Sequence, residues 1–390
     1  MTRNSSEGSP PGRDPKGKGM IPVCVPLLGD KELEYVADCV RTNWISSKGR
    51  YVNEFEAGFA RYCGTKEGIS TTNGTAALHL ALASLGVGKG DEVIIPAFTM
   101  MSTAFAVLYC GATPVLVDAE PDTWNMDTGS LESKLTDRTK VILPVHIYGH
   151  PCDMDPILDI AGDHDIRVVE DAAEAHGALY KGRKAGGISD CGCFSFYANK
   201  IITTGEGGMV VTNDPEIAER ARSLKDLAFQ KDRRFLHTDL GFNYRMTNIQ
   251  AAIGLAQLER IDEFVEMRRA HAVLYNRLLK GVRGIRFPVE RSWAKNVYWM
   301  YSLLLTDDFG MSREALMEEL GKKGIETRTF FMPVHEQPVC ADMGLFSGEC
   351  YPVSEDIARR GLYLPSGSGL TNEEIGFVCT TLREIQEGCR

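Results

Sequence analysis

The chain has no C-x-x-C pair, no ligand-like spacing of histidines, no internal repeat and no excess of positive charge. Each absence removes a class of function. Its eleven Cys are scattered without framework spacing, an odd count that points to reduced thiols in a cytoplasm and away from a disulfide scaffold. Cys191 and Cys193 flank one Gly, which is wrong for a zinc knuckle and right for alternating buried strand positions, so no metal site is expected. A formal net charge of −10 is opposite to the footprint of a nucleic-acid binder, although it leaves room for a local basic pocket. Residues 1–19 are polar, rich in Gly, Ser and Pro, and hold no apolar core of a secretory signal, so they read as a disordered tail on a cytoplasmic protein. Within them Gly12 to Lys18 fits G-x-x-x-x-G-K, but Gly19 stands where a phosphate loop needs Ser or Thr, and no strand precedes it.

Long apolar runs are also lacking. The 25 uncharged residues at 93–117 are broken by Pro96, Gly111 and Pro114 and divide into strand, helix and strand. That is a buried β-α-β unit, not a membrane span. The alternation holds from residue 70 to 212, with strand-like runs at 92–96, 114–118, 141–145, 167–171, 193–197 and 209–212. Helical segments intervene at 75–85, 102–110 and 154–163, and longer ones follow at 215–225 and 247–258. This predicts an α/β chain with a mostly parallel sheet covered on both faces. From about residue 265 helices mix with short strands such as 301–305, the pattern of a smaller α+β domain. The expected division is a tail at 1–19, a large domain at 20–262 and a small C-terminal domain at 263–390.

What is present gathers at strand ends, where open α/β sheets bind ligands. The run Cys193-Phe-Ser-Phe-Tyr-Ala-Asn-Lys200 ends in a lone Lys, and the glycine-rich turn Gly205-Glu-Gly-Gly208 follows. A Lys at the mouth of a sheet, with the Ser195 hydroxyl five positions before it, suits an imine to an aldehyde cofactor whose phosphate needs a donor. That cofactor is pyridoxal phosphate (PLP). The competing reading is a solvated Lys in a polar loop. Asp171 closes an otherwise buried strand and suits the carboxylate that keeps a pyridine ring protonated, or equally a cap or structural ion pair. Asn73-Gly-Thr75 opens a helix whose free amides and dipole favour a phosphate, with Thr75 as a plain cap the alternative. Ser195 alternates with Phe194 and Phe196, so its side chain faces the other way.

Order and spacing add what single residues lack. The series Asn73-Gly-Thr75, Glu170-Asp-Ala-Ala-Glu174, Ser195-Phe-Tyr-Ala-Asn-Lys200, Gly205-Glu-Gly-Gly208 and Gly241-Phe-Asn-Tyr-Arg-Met246 resembles the DegT/DnrJ/StrS family of PLP-dependent sugar aminotransferases. The likeness runs from Ile21 to near the C-terminus. It implies PLP fold type I (aspartate aminotransferase-like) and a homodimer with shared active sites. It also implies roles: Lys200 as the imine lysine, Asp171 on the pyridinium nitrogen, and Glu174 near the ring hydroxyl, where members often have Gln. Gly74, Thr75 and Ser195 are implied to hold the phosphate, and Asn243 to reach the phosphate of the partner subunit's cofactor. Met100 stands where the family commonly stacks an aromatic ring on the cofactor, a departure. Arg245 and His335 carry over as substrate contacts, with a structural role equally open.

Trp44-Ile-Ser-Ser-Lys-Gly-Arg-Tyr51, Pro144-Val-His-Ile-Tyr-Gly149 and Phe330-Phe-Met-Pro-Val-His335 are most similar to members that aminate C4 of a GDP-linked 4-keto-6-deoxymannose. L-Glutamate is the implied amino donor. A dTDP- or UDP-linked keto sugar, amination at C3, and a non-catalytic binding protein of the same fold stay open. Lys200 speaks against the dehydratases of this fold, which typically carry His there. Lys231, Arg233, Arg234 and Arg245 make a local basic excess, expected either to neutralise a nucleotide diphosphate or to form a solvated loop.

Overall fold

Apolar runs bounded by Gly, Pro and Asp become the strands of the main sheet in the computed structural model, which describes residues 19–230 and 232–389. The expected disordered tail, Gly19 apart, and Lys231 lie outside the described residues. Seven strands form this sheet: β1 (Glu67–Thr71), β2 (Glu92–Pro96), β3 (Thr113–Val117), β4 (Thr139–Ile142), β5 (Arg167–Asp171), β6 (Cys191–Ser195) and β7 (Gly208–Thr212). Their order is β1-β7-β6-β5-β4-β2-β3. β2 to β6 run parallel, and β7 is antiparallel to both its neighbours. Burial on both faces explains why β2 and β7 read as unbroken apolar runs. Helix α1 (Arg50–Cys63) packs on β1, and α2 (Gly74–Ser84) packs on β6 and β7. All but three residues of α2 are buried, so its Ala- and Leu-rich sequence is apolar all round. The run at 93–117 is β2, helix α3 (Ser102–Tyr109) and β3, with β2 and β3 a parallel pair. Among the described residues no helix is long and apolar enough to cross a membrane.

Three strand assignments differ from expectation by more than one residue. β4 stops at Ile142 instead of reaching 145, because Pro144 has no N–H for the ladder and Val145 makes only an isolated bridge to Asp171. β6 begins and ends two residues before the expected 193–197, because Cys191 and Gly192 pair with Thr212 and Val211. A side chain at Gly192 would collide with the Gly186 carbonyl, its Cβ meeting that oxygen at 2.1 Å, so the strand positions expected at Cys191 and Cys193 need the glycine between them. β1 was not expected. Glu67-Gly-Ile-Ser-Thr71 has little strand character of its own and is extended by pairing with β7.

A second, antiparallel sheet has the order β8 (Ile285–Arg286), β9 (Tyr301–Leu305), β11 (Gly361–Leu364), β10 (Arg328–Thr329). It carries its own apolar cluster, including Tyr275, Leu303, Phe309, Leu316 and Leu362. Helix α4 (Ile261–Leu279) joins the two cores, with Phe264 and Val265 in the main cluster and Tyr275 and Leu279 in the second. A boundary at 262/263 therefore falls in its first turn. Ile21 bridges Ile325, and Val23 accepts from the Ser366 amide, so this early stretch of the described chain lies against the C-terminal part.

Candidate active site

β5 and β6 are parallel neighbours, so their carboxyl ends deliver Asp171 and Ser195 to the same edge of the sheet. After β6 the chain closes a turn: the Lys200 amide donates to Tyr197 O (2.9 Å) and the Thr204 amide to Phe196 O (3.0 Å). Gly205 takes φ +80° there, which a residue with a Cβ resists. The turn aims Lys200 back into a cavity of about 650 Å³, within the range of small-ligand sites. Seven residues named from the sequence line this one cavity: Gly74, Thr75, Met100, Asp171, Glu174, Ser195 and Lys200.

Lys200 Nζ lies 3.7 Å from Glu174 Oε1 and 3.6 Å from the centre of the Trp299 ring. Glu174 Oε2 accepts the Tyr148 amide at 2.7 Å. Burial depresses the Lys200 ammonium, against the pull of Glu174 and Asp171, and lifts the Glu174 carboxyl to about 7. The pair is thus biased toward its neutral form. Asp171 Oδ2 accepts from Thr103 Oγ1 (2.8 Å) and Oδ1 from the Ala173 amide (3.1 Å). Thr103 spends its one proton on Asp171, so Thr99 donates to Thr103 at 3.0 Å. Burial raises the Asp171 carboxyl, and these two donors oppose it.

Opposite, Asn73 caps α2 by accepting the Ala76 amide at 2.8 Å, and the amides of Gly74 and Thr75 precede the helical ladder. Gly74 is packed so closely on Ser195 that an added Cβ would meet Ser195 Cβ at 2.7 Å. One cavity thus holds a primary amine, a buried carboxylate, and a helix N-terminus beside a hydroxyl. The donor set fits an aldehyde, a ring nitrogen and a phosphate carried by one molecule, which is the constitution of PLP.

Other expected residues are not brought here. Asn243 and Arg245 lie outside the cavity, where Arg245 donates to Asn243 Oδ1 (3.0 and 2.8 Å) and pairs with Asp226 at 2.8 Å. His335 is also outside it, bonded to Glu355 at 3.2 Å and packed on Tyr351. Arg233 lines a separate surface groove, and Arg234 sits over the Phe229 ring at 5.0 Å. Met100 lines the mouth, half exposed, its sulfur accepting from Ser102 Oγ at 3.4 Å. The sequence reading missed Trp299, Tyr244, Arg328 and Tyr363, which line the same cavity. Trp299 is one of only four Trp in the chain and stands just before β9, which was the signal available.

A profile of the DegT/DnrJ/EryC1/StrS aminotransferase family matches residues 26–383. The chain is similar to the GDP-perosamine synthase of Caulobacter vibrioides, 46% identical over 366 residues that cover 94% of this chain and 98% of that one. It is similar to the GDP-perosamine synthase of Escherichia coli O157:H7 as well, 43% identical over 365 residues, with 94% and 98% covered. Among solved structures, Spr1654 from Streptococcus pneumoniae in its PLP form matches with a TM-score of 0.89 at 29% identity, covering 95% of this chain and 100% of that one.

Proposed function

Since the chain belongs to the DegT/DnrJ/EryC1/StrS aminotransferase family, we propose that it is a PLP-dependent nucleotide-sugar aminotransferase. It moves an amino group from L-glutamate to C4 of GDP-4-keto-6-deoxy-D-mannose, giving GDP-perosamine and 2-oxoglutarate. The observation that carries this is the convergence of Lys200, Asp171 and the Ser195-flanked N-terminus of α2 on one cavity. The similarity to GDP-perosamine synthases along nearly the whole chain supports the choice of sugar.

When bound, PLP supplies the electron sink that lets an amino group be exchanged. The chain's own residues supply placement, charge and protons. The amides of Gly74 and Thr75 and the Ser195 hydroxyl hold the phosphate at the positive end of α2. Asp171, fixed by Thr103 and the Ala173 amide, holds a proton on the ring nitrogen. Glu174, 3.7 Å from Lys200 Nζ, orients the lysine and would face the ring hydroxyl. Lys200 Nζ would accept the proton that leaves one carbon and give it back to another, and burial keeps that amine neutral, and so able to accept, before the first of these transfers.

A homodimer completes the site. Met100, Tyr109 and Tyr197 line the cavity yet remain 50%, 60% and 48% exposed, and Asn243 lies outside its own protomer's cavity. A second copy seated over the mouth covers these apolar side chains and brings Asn243 of the partner subunit to the phosphate.

The test is a turnover panel of GDP-, dTDP- and UDP-linked 4-keto-6-deoxyhexoses with L-glutamate, products identified by mass and NMR. Turnover of the GDP-mannose-derived ketone to the 4-amino product is expected. Robust turnover of another ketone without this one transfers the assignment to that sugar. Borohydride reduction with peptide mapping should place the cofactor adduct on Lys200.

A further inference from the structure

Arg268, on α4, is buried to 3% exposure, and among the described residues its guanidinium has no acidic partner. A cation so deeply placed is ordinarily paired with a carboxylate. Here it bonds only neutral acceptors. Nε donates to Ser368 Oγ (3.2 Å), Nη1 to Trp299 O (2.5 Å) and Ser366 O (3.0 Å), and Nη2 to Cys24 Sγ (3.5 Å).

Two of these contacts lead to the reactive lysine. The Trp299 ring face meets Lys200 Nζ at 3.6 Å, and its Nε1 donates to Asn199 O at 2.8 Å. The Cys24 thiol donates to the same Asn199 oxygen at 3.5 Å. Lys200 and Arg268 also line one interior cavity of about 10 Å³. Two segments far apart in the chain thus grip the peptide before Lys200, and Arg268 ties them together.

We infer that Arg268 is a positioning residue for Lys200: its guanidinium fork fixes Trp299 and Cys24, which hold Asn199 and lay the indole against the ε-amine. The inference rests on the reading of Lys200 as the lysine that exchanges amino groups. The unneutralised charge acts in the same direction as burial. It disfavours a second cation on Nζ, against the carboxylates of Glu174 and Asp171. His176, held neutral by burial, is the other titratable group that feels Lys200. A plain structural bolt would tie the segments together without affecting the amine.

The experiment uses the full-length chain as R268Q and R268K, each checked for folding by far-ultraviolet circular dichroism and melting. In the cofactor-free protein, trace acetic anhydride labels Lys200 as its free amine, and peptide mass spectrometry reads the rate against pH. R268Q is expected to move the half-labelling pH up by about one unit, so that labelling near neutrality slows about tenfold, while R268K keeps the parent's curve. In the PLP-loaded protein, both substitutions lose the fork and should weaken the visible circular dichroism of the bound cofactor. If R268Q does not fold, W299L keeps the carbonyl that Arg268 binds and removes the indole face. It should lower kcat about tenfold with both KM values unchanged.

A folded R268Q with the parent's labelling curve and dichroism, or a W299L with the parent's kcat, overturns the inference. In either case a parent that is yellow and active leaves the proposed function standing. A parent without a borohydride adduct on Lys200 removes that function instead.

Discussion

His176 is a buried imidazole ringed by Phe59, Phe194 and Phe196, at 6.2, 5.2 and 5.6 Å between ring centres. The Ser195 backbone lies near, yet neither ring nitrogen meets hydrogen-bond geometry. Burial, reinforced by Lys200, depresses the ring's pKa from 6.5 to about 3. The folded chain therefore resists the proton that the unfolded chain accepts. This contribution to stability is complete above 6.5 and is lost as pH falls from there toward about 3. His176→Phe should accordingly lose less stability than the parent between about pH 7 and about pH 4.5, by up to about 2 kcal/mol in thermal melts. Parallel melting curves for the two would exclude this account. The residue also marks a limit of reading from sequence. Glu170-Asp-Ala-Ala-Glu174 is a local pattern, and its carboxylates could be named because one strand end places them. The neighbours of His176 lie on α1, on β6 and just past its end, and no local pattern announces them.

Among elements, α2 matters through its first turn. Its sequence advertises a cap, Asn73, and a glycine, but not that the glycine packs on β6. Two substitutions separate these roles. Asn73→Ala removes the bond to the Ala76 amide and should cost about 1 kcal/mol of stability. Gly74→Ala should cost about 1–3 kcal/mol and also push Ser195 aside, weakening PLP affinity about tenfold or more by fluorescence titration. If Gly74→Ala bound PLP as tightly as the parent, the close packing would not be what places Ser195. Strand boundaries follow the same logic. β2 and β5 were readable to the residue because each has a short apolar centre bounded by charged residues or proline. β4 and β6 shifted because a proline ends one ladder and pairing with β7 starts the other at Cys191, and hydrophobicity announces neither. β1 exists only because β7 offers it an edge.

For the molecule as a whole, the proposed exchange of Asn243 between subunits makes a quantitative claim. Lys200→Ala and Asn243→Asp chains, each expected to be impaired alone, place their lesions in the same site of a mixed dimer and leave the other site intact. Equal mixing after unfolding and refolding should restore about a quarter of the parental sites, half of the dimers having one each. Failure to recover activity, with heterodimers demonstrated by mass, would confine each site to one chain. Sequence alone settled what depends on residue type and short-range order. The alternation of strand and helix, the lysine after an aromatic strand, the carboxylates three apart and the glycine-rich turns all express local geometry that one segment carries by itself. Tertiary structure alone decided what depends on segments meeting. It brought Trp299 to the amine, buried Arg268 with no acidic partner among the described residues, and left Arg245 and His335 outside the cavity. The physical reason is that burial and contact between distant segments belong to the packed sheet and its covering helices. No window of sequence contains that information.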